Sequence, residues 1–257
     1  MLQRALRNIR DGLLGLGYPQ VCRVCGGAVE SWEDGVACAQ CWDDPALTKI
    51  LIGCVCSKCG APMAPTTSNA QSPFTASAGR LCGMCSSAPF TAARACGVYS
   101  GALEASILFL KVTPHICPRL RAIIKRTFSE HHIALRSDVV MPVPLHRFRQ
   151  RQRGFNQAAI VARLISREFG LRLDDRSVIR IKPTERHRAG MDANDRSQSV
   201  ERAFEVTRRS FIAGASVLLV DDVYTTGSTI SAATQSLIDA GVLQVSVLTI
   251  ARVGDGD

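Results

Sequence analysis

The sequence lacks any apolar run close to the eighteen or so residues needed to cross a bilayer, so it predicts no transmembrane span. It also lacks internal repeats, apart from a doubled cysteine pattern. The apolar and charged fractions are those of an ordinary globular protein, which excludes a disordered tail or a fibre. With 257 residues, the chain has room for one large domain and a smaller one.

The first twenty residues lack the small-residue cleavage site of a secretory signal. They place three arginines among aliphatic residues at helical spacing. The basic positions are Arg4, Arg7 and Arg10, and the aliphatic ones are Leu2, Leu6, Ile9, Leu13 and Leu14. We therefore predict an amphipathic helix over residues 1–20 that packs on the body of the protein. A helix lying on a membrane surface is the alternative.

Positive charge exceeds negative charge, with a formal net charge of +9 and a pI near 9.2. Such a balance favours attraction to polyanions, among them nucleic acids, nucleotides and pyrophosphate. Charge alone does not choose among these partners.

Cysteine is abundant, and its 11 residues are strongly clustered. Small secreted proteins use so many cysteines for disulfides, but clustering without a secretion signal predicts metal binding in a reducing cytosol. A Cys-x-x-Cys turn places two thiolates at the separation that a tetrahedral zinc site needs. Four such pairs precede residue 86: Cys22 and Cys25, Cys38 and Cys41, Cys56 and Cys59, and Cys82 and Cys85.

Two consecutive zinc ribbons over residues 21–90 are the simplest assignment. Cys22, Cys25, Cys38 and Cys41 would bind one zinc, and Cys56, Cys59, Cys82 and Cys85 would bind the other. An interleaved order stays open. With all eight thiolates as ligands, the zincs would be structural, each contributing on the order of 10 kcal/mol to a segment poor in large apolar side chains. Cys54, Cys96 and Cys117 are predicted to be ordinary buried thiols.

Residues 91–257 alternate continuous aliphatic runs with helical patterns. The predicted strands are 95–99, 138–144, 178–181, 217–220 and 245–250, and the predicted helices are 102–112, 156–170 and 229–241. Continuously apolar strands separated by helices predict an α/β domain with a mainly parallel sheet covered on both faces. We expect its core to be separate from that of the ribbons.

The segment VLLVDDVYTTGST, residues 217–229, places Asp221 and Asp222 at the carboxyl end of a buried strand, where open α/β sheets bind ligands. Gly227 and the backbone amides that follow would surround an anion at a helix N-terminus, so phosphate is the expected occupant. Four hydroxyls would join them: Thr225, Thr226, Ser228 and Thr229. The two carboxylates suit ribose hydroxyls and Mg²⁺.

This segment is similar to the signature of type I phosphoribosyltransferases, which bind phosphoribosyl pyrophosphate. With MPVPLHRFRQRQRGFNQA (141–158) and the cysteine pairs, the chain resembles the ComF family, also called ComFC or GntX-like. That family has a double zinc ribbon before a type I phosphoribosyltransferase domain. The resemblance implies catalytic roles for Asp221 and Asp222. It also implies that the turn from Thr225 to Thr229 binds phosphoribosyl pyrophosphate.

Four arginines follow the PVP turn: Arg147, Arg149, Arg151 and Arg153. In related folds this loop holds pyrophosphate; a solvated basic face and a nucleic-acid groove are the alternatives. The sequence departs from the family in two places. LKVTPHICPRL lacks the usual Gly/Asp-rich continuation, which argues against a ligand role for Lys111. In the 182–204 segment, predicted to be a flexible loop that closes over the site, His187 stands where relatives carry glutamine, and we assign it no catalytic role.

The resemblance implies a nucleic-acid-handling adaptor in DNA uptake, with phosphoribosyl pyrophosphate as a bound ligand. It would work in the cytoplasm beside a competence helicase and single-stranded DNA. The alternative is an active Mg-dependent phosphoribosyltransferase in nucleotide, nucleoside or amine metabolism. No purine or pyrimidine recognition motif is visible, so the sequence specifies neither an acceptor nor an oligomeric state.

Overall fold

The computed structural model describes residues 20–45, 55–63, 79–182 and 203–254. The predicted N-terminal helix, Cys54 and His187 lie outside these residues. The strands are β1 Ala92–Ala95, β2 Val139–Pro142, β3 Arg172–Leu173, β4 Val178–Arg180, β5 Phe204–Val206, β6 Ser216–Tyr224 and β7 Gln244–Arg252. The helices are α1 Ala39–Trp42, α2 Gly101–Leu110, α3 Pro118–Glu130, α4 Arg147–Arg153, α5 Gln157–Phe169 and α6 Ser228–Asp239.

A five-stranded sheet in the order β1-β7-β6-β2-β3 forms the centre of the fold, and each neighbouring pair is parallel. The long central strands β6 and β7 pair from Ser216 opposite Gln244 to Tyr224 opposite Arg252. Parallel strands direct their carboxyl ends to one edge, so the ends of β2 and β6 lie together there. The predicted α/β class with a mainly parallel sheet is confirmed.

Alternate residues of the sheet enter two different hydrophobic cores. Val140 and Leu218 face a core completed by α2, α3 and α5. Val139 and Leu219 face the opposite core, which contains side chains of α6 and the β4–β5 hairpin. Both faces of the sheet are therefore covered, which explains why its strands are continuously apolar rather than alternating.

The structure corrects several predicted elements. The first strand spans Ala92–Ala95 rather than 95–99, and the 178–181 segment lies in a two-stranded antiparallel sheet with β5 instead of the parallel sheet. Helix α3 was not predicted, although Pro118 at its first turn is a typical helix start. The basic segment after the PVP turn, predicted to be a loop, forms α4. Among the described residues, Cys96 and Cys117 are buried, as predicted.

The expectation of separate cores is wrong. Cys22, Cys38 and Trp42 belong to the same hydrophobic cluster as α2 and α3, and Cys56, Cys59 and Cys85 belong to the cluster on the other face of the sheet. The cysteine-rich segment is too poor in apolar residues to build a core alone, so it shares those of the sheet. Within the described ranges, no helix is long and apolar enough to cross a membrane.

Candidate functional site: two cysteine clusters and an acidic strand end

Eight cysteines form two clusters that could each hold a metal ion. Within each cluster, the four sulfur atoms lie within 4.8 Å of one another. The first cluster is Cys22, Cys25, Cys38 and Cys41, and the second cluster is Cys56, Cys59, Cys82 and Cys85. This is the consecutive grouping that the sequence predicts and not the interleaved one.

Backbone amides point at the sulfur atoms of both clusters. The amide of Cys38 donates to Cys22 Sγ at 3.3 Å, and the amide of Cys82 donates to Cys56 Sγ at 3.3 Å. Burial works to raise the pKa of the Cys22 and Cys56 thiols, but hydrogen bonds from backbone amides outweigh it and lower each pKa to about 6. Burial and the neighbouring sulfurs raise the pKa of the Cys41 and Cys85 thiols, so without a metal ion only part of each cluster favours the thiolate. Four cysteine sulfurs at this spacing are the donor set of a structural zinc site.

A buried cation beside the second cluster supports the same fit. Arg252 is 1% exposed, and its guanidinium donates to the Cys59 carbonyl at 3.0 Å and to Cys59 Sγ at 3.6 Å. Among the described residues it forms no ion pair with a carboxylate. A buried charge needs compensation. Four thiolates around Zn²⁺ carry a net negative charge and would provide it, whereas four neutral thiols would not.

The carboxyl end of β6 carries a polar network centred on Asp222. Gln157 Nε2, at the start of α5, donates to Asp222 Oδ2 at 3.2 Å, and Lys111 Nζ, just after α2, lies 3.5 Å from the same oxygen. Arg153, at the end of α4, donates to Gln157 Oε1 at 3.0 Å. Side chains from two segments, one after β1 and one after β2, thus reach the Asp222 carboxylate, and Arg153 adds a cation through Gln157.

Asp221 precedes this network and has a different environment. Burial, and secondarily the neighbouring Asp222 carboxylate, raise the pKa of Asp221 well above its ordinary value, while Arg180 opposes the shift. Two adjacent acids that destabilise each other's charge form a site that a cation would stabilise. The carboxylates therefore have the oxygen chemistry that Mg²⁺ prefers.

The turn after β6 leads directly into α6. Gly227 is the N-cap and has a left-handed φ of +75°. A Cβ there would lie 2.5 Å from Tyr224 Oη, so only glycine fits. Thr226 Oγ1 and Ser228 Oγ are 3.0 Å apart beside the first turn of the 12-residue helix, whose amides lack intrahelical partners. The geometry is that of an anion-binding helix start.

The four arginines do not act as one surface. Residues four apart share a face of a helix, so Arg147 and Arg151 lie on one face of α4 and Arg149 and Arg153 lie on the other. The first pair is exposed and flanks Phe148, whose exposed fraction is 67%. The second pair is half-buried, and Arg153 contacts the Asp222 network through Gln157.

The structure brings the predicted acids and the Thr225–Thr229 turn together, and it adds residues that sequence reasoning missed. Lys111 lies beside Asp222, although the sequence around it departs from the family pattern and argued against a ligand role. Gln157 was part of the RGFNQ motif, which could have identified it. Nothing in the sequence was a reason to select Tyr224 or Arg252 as functional residues, because an aromatic residue and an arginine at strand ends match no motif.

Comparisons with known proteins agree with this architecture. The family model described as phosphoribosyl transferase domain matches residues 154–257. Competence protein F of Haemophilus influenzae is 36% identical over 136 residues, which cover 52% of this chain and 58% of the relative. Competence protein ComFC of Bacillus subtilis is 31% identical over 118 residues, covering 44% of each chain. DNA utilization protein YhgH of Escherichia coli K12 is 31% identical over 115 residues, covering 45% of this chain and 49% of the relative.

Two solved structures are also similar. Glutamine phosphoribosylpyrophosphate amidotransferase from Bacillus subtilis matches with a TM-score of 0.36 and 20% identity, over 53% of this chain and 28% of that chain. Orotate phosphoribosyltransferase from Mycobacterium tuberculosis matches with a TM-score of 0.33 and 22% identity, over 59% of this chain and 68% of that chain.

The parallel sheet, the family match and the strand-end acids define a chain with a type I phosphoribosyltransferase-like domain behind two cysteine clusters. Within that class, its similarity to two competence proteins and a DNA utilization protein agrees with the resemblance to the ComF family that its motifs indicate. It spans about half the length of the curated relatives that it matches.

Proposed function

We propose that the protein binds phosphoribosyl pyrophosphate at the carboxyl edge of its sheet and acts in DNA uptake by handling single-stranded DNA. Relatives named competence protein and DNA utilization protein support the second part. One observation carries the first part. Lys111, Gln157 and, through Gln157, Arg153 converge on Asp222, at the strand end that leads to the Gly227 turn.

In this proposal, Asp221 and Asp222 bind the ribose hydroxyls and the turn amides of 225–229 bind the phosphate. Arg153 and Lys111 then lie where the pyrophosphate group needs positive charge. Mg²⁺, held by the carboxylates and the pyrophosphate oxygens, would supply further counter-charge when bound.

The exposed face of α4 is the surface we assign to nucleic acid. Proteins that bind single strands combine cationic side chains along the backbone with aromatic side chains on which bases stack. Arg147 and Arg151 supply two cations and Phe148 supplies a 67% exposed ring on the same face. The net charge of +9 adds long-range attraction.

The two faces of α4 provide a test with a matched control. Each phosphate neutralised on a single strand contributes about 0.7 to the slope of log K against log salt. We expect Arg147→Ala with Arg151→Ala to reduce that slope by about 1.4, and Phe148→Ala to weaken binding without changing the slope. Fluorescence anisotropy of a labelled oligonucleotide at several salt concentrations measures both.

Arg149→Ala with Arg153→Ala is the control. It should preserve the salt slope and weaken phosphoribosyl pyrophosphate binding, measured by titration calorimetry with Mg²⁺. Asp222→Asn should behave in the same way. DNA binding that does not depend on salt would contradict the nucleic-acid assignment, and an intact protein that shows no heat of ligand binding would contradict the first part of the proposal.

The Arg149–Arg153 face favours a second candidate, an active phosphoribosyltransferase. Arg153 lies at the acidic site, where it would stabilise negative charge developing on a pyrophosphate leaving group. Release of pyrophosphate from phosphoribosyl pyrophosphate, measured across a panel of bases and amines, tests this activity. Turnover that disappears in Asp222→Asn would support it.

A further inference from the structure

We propose that Arg252 and Tyr224 couple the second cysteine cluster to the Gly227 turn, so that a metal ion in that cluster raises the affinity of the turn for a phosphate-bearing ligand. The inference rests on the proposed function, because its ligand is the same phosphoribosyl pyrophosphate.

Arg252 connects the cluster to the end of the sheet. It is the last residue of β7 and lies opposite Tyr224, the last residue of β6. Its guanidinium donates to the carbonyl and the sulfur of Cys59, at 3.0 Å and 3.6 Å. The same guanidinium carbon lies 5.4 Å from the centroid of the Tyr224 ring. One buried side chain thus contacts both a metal-ligating cysteine and the aromatic ring.

Tyr224 connects this cation to the phosphate turn. Its hydroxyl lies 2.5 Å from where a Cβ on Gly227 would be, so the ring packs directly under the N-cap of α6. The ring is 4% exposed and meets Phe90 edge-on, with centroids 6.3 Å apart. The ring is thus packed against Arg252, Phe90 and the Gly227 turn. Because the packing is close, a displacement of the ring would also move the backbone amides of the turn, which bind the phosphate in our proposal.

The arrangement of the cluster determines where Arg252 is stable. A metal ion would fix the positions of the four sulfurs and, with them, the Cys59 carbonyl and sulfur that accept from the guanidinium. When zinc leaves, these acceptors are free to move away. A buried cation without its acceptors is unstable, so Arg252 would leave its position. Tyr224 would lose its cationic neighbour, and the turn would lose its support.

Thermodynamic linkage makes the coupling measurable from the metal side. If zinc in the second cluster strengthens ligand binding by some factor, then the ligand strengthens zinc binding by the same factor. Coupling between two sites is typically in the range of about 5-fold to 150-fold. We therefore expect Mg-phosphoribosyl pyrophosphate at saturation to raise the zinc affinity of the second cluster at least about fivefold.

Competition for zinc with a chromogenic chelator at equilibrium, with and without ligand, provides the test. The zinc ion that Cys82→Ser protein fails to bind belongs to the second cluster, so the difference between the two proteins reports that cluster. Arg252→Met should remove most of the ligand effect, and Arg252→Lys should retain part of it. Tyr224→Phe removes only the hydroxyl that lies against the Gly227 turn, so it should reduce the ligand effect. Tyr224→Phe keeps the buried ring, so the test survives if Arg252→Met fails to fold.

Arg94→Met is the matched control. Arg94 also holds the second cluster, through the carbonyls of Lys58 and Ser57, but it does not contact Tyr224. This variant should bind zinc more weakly while keeping the ligand effect. If the ligand binds by calorimetry and yet leaves the zinc affinity unchanged in the intact protein, the coupling is overturned and the proposed function stands. If the ligand does not bind, both are overturned.

Discussion

The two cysteine clusters have the same ligands and different surroundings. The first cluster joins the core between the sheet and helices α2 and α3, where Trp42 donates to the Asp34 carbonyl at 2.8 Å and Asp34 pairs with Arg119 at 3.0 Å. The second cluster lies on the opposite core and contacts Arg252 at the end of β7. Two clusters of the same composition therefore pack against helices at one place and lie near the Gly227 turn at the other.

The largest effects are expected from removing one ligand of each cluster. Cys22→Ser and Cys56→Ser should each lower zinc content from about two per chain to about one. Because each cluster is part of a shared core, both should lower the unfolding temperature of the whole chain. Only Cys56→Ser should weaken phosphoribosyl pyrophosphate binding, by at least about fivefold. Metal analysis measures the zinc content and calorimetry measures the ligand affinity. Equal losses of ligand affinity in the two variants would contradict the view that only the second cluster affects ligand binding.

Two glycines with left-handed backbone provide the next test. A Cβ on Gly35 would lie 2.6 Å from Cys117 Cβ, and a Cβ on Gly227 would lie 2.5 Å from Tyr224 Oη. Strain and collision together should lower the free energy of unfolding by about 1–3 kcal/mol in Gly35→Ala and Gly227→Ala. Only Gly227→Ala should lose ligand binding. Urea unfolding with calorimetry separates the two outcomes.

Gly154→Ala is the control for the glycine pair. Its φ is +77°, and nothing lies within 4 Å of an added Cβ, so backbone strain acts without collision. We expect about 1 kcal/mol of destabilisation and full ligand binding. A Gly227→Ala protein that binds ligand normally would contradict the phosphate role of the turn.

The smallest effect is expected at the surface of the first cluster. Arg119 is half-buried and pairs with Asp34 and Asp43. Asp34 is buried, whereas Asp43 is exposed. Exposed ion pairs contribute little, so Asp43→Ala should lower the free energy of unfolding by about 0.5–1 kcal/mol. The difference should shrink at high salt, as urea titrations at two ionic strengths would measure. Any change in ligand affinity would contradict the view that the first cluster only supports the fold.

Local patterns predicted the parts of this molecule that depend on nearby residues. The Cys-x-x-Cys pairs identified the eight members of the clusters, because both thiolates of a pair lie within one turn. The run VLLVDD predicted a buried strand ending in acids, because burial of consecutive aliphatics needs a covered sheet. The sequence predicted a strand at 178–181 but not the separate antiparallel sheet that it joins, because a short apolar run does not reveal its pairing partner.

The family departure at Lys111 shows the limit of motif reasoning. The residues after Lys111 lack the Gly/Asp-rich continuation of the family. Packing nevertheless places the Lys111 ammonium 3.5 Å from Asp222. The sequence showed only the number of arginines after the PVP turn. The helix decided that one pair is half-buried, with Arg153 joined to the Asp222 network, and that the other pair is exposed.

The sequence by itself determined the class of fold, the cysteine ligands and the acidic strand end, since each depends on spacing within a few residues. Only the tertiary structure decided which core each cluster joins and which side chains reach Asp222. Arg252 and Cys59 are 193 positions apart, and their contact exists because β7 ends beside the second cluster. Contacts at that separation depend on how the sheet and its flanking layers pack, and no local periodicity encodes them.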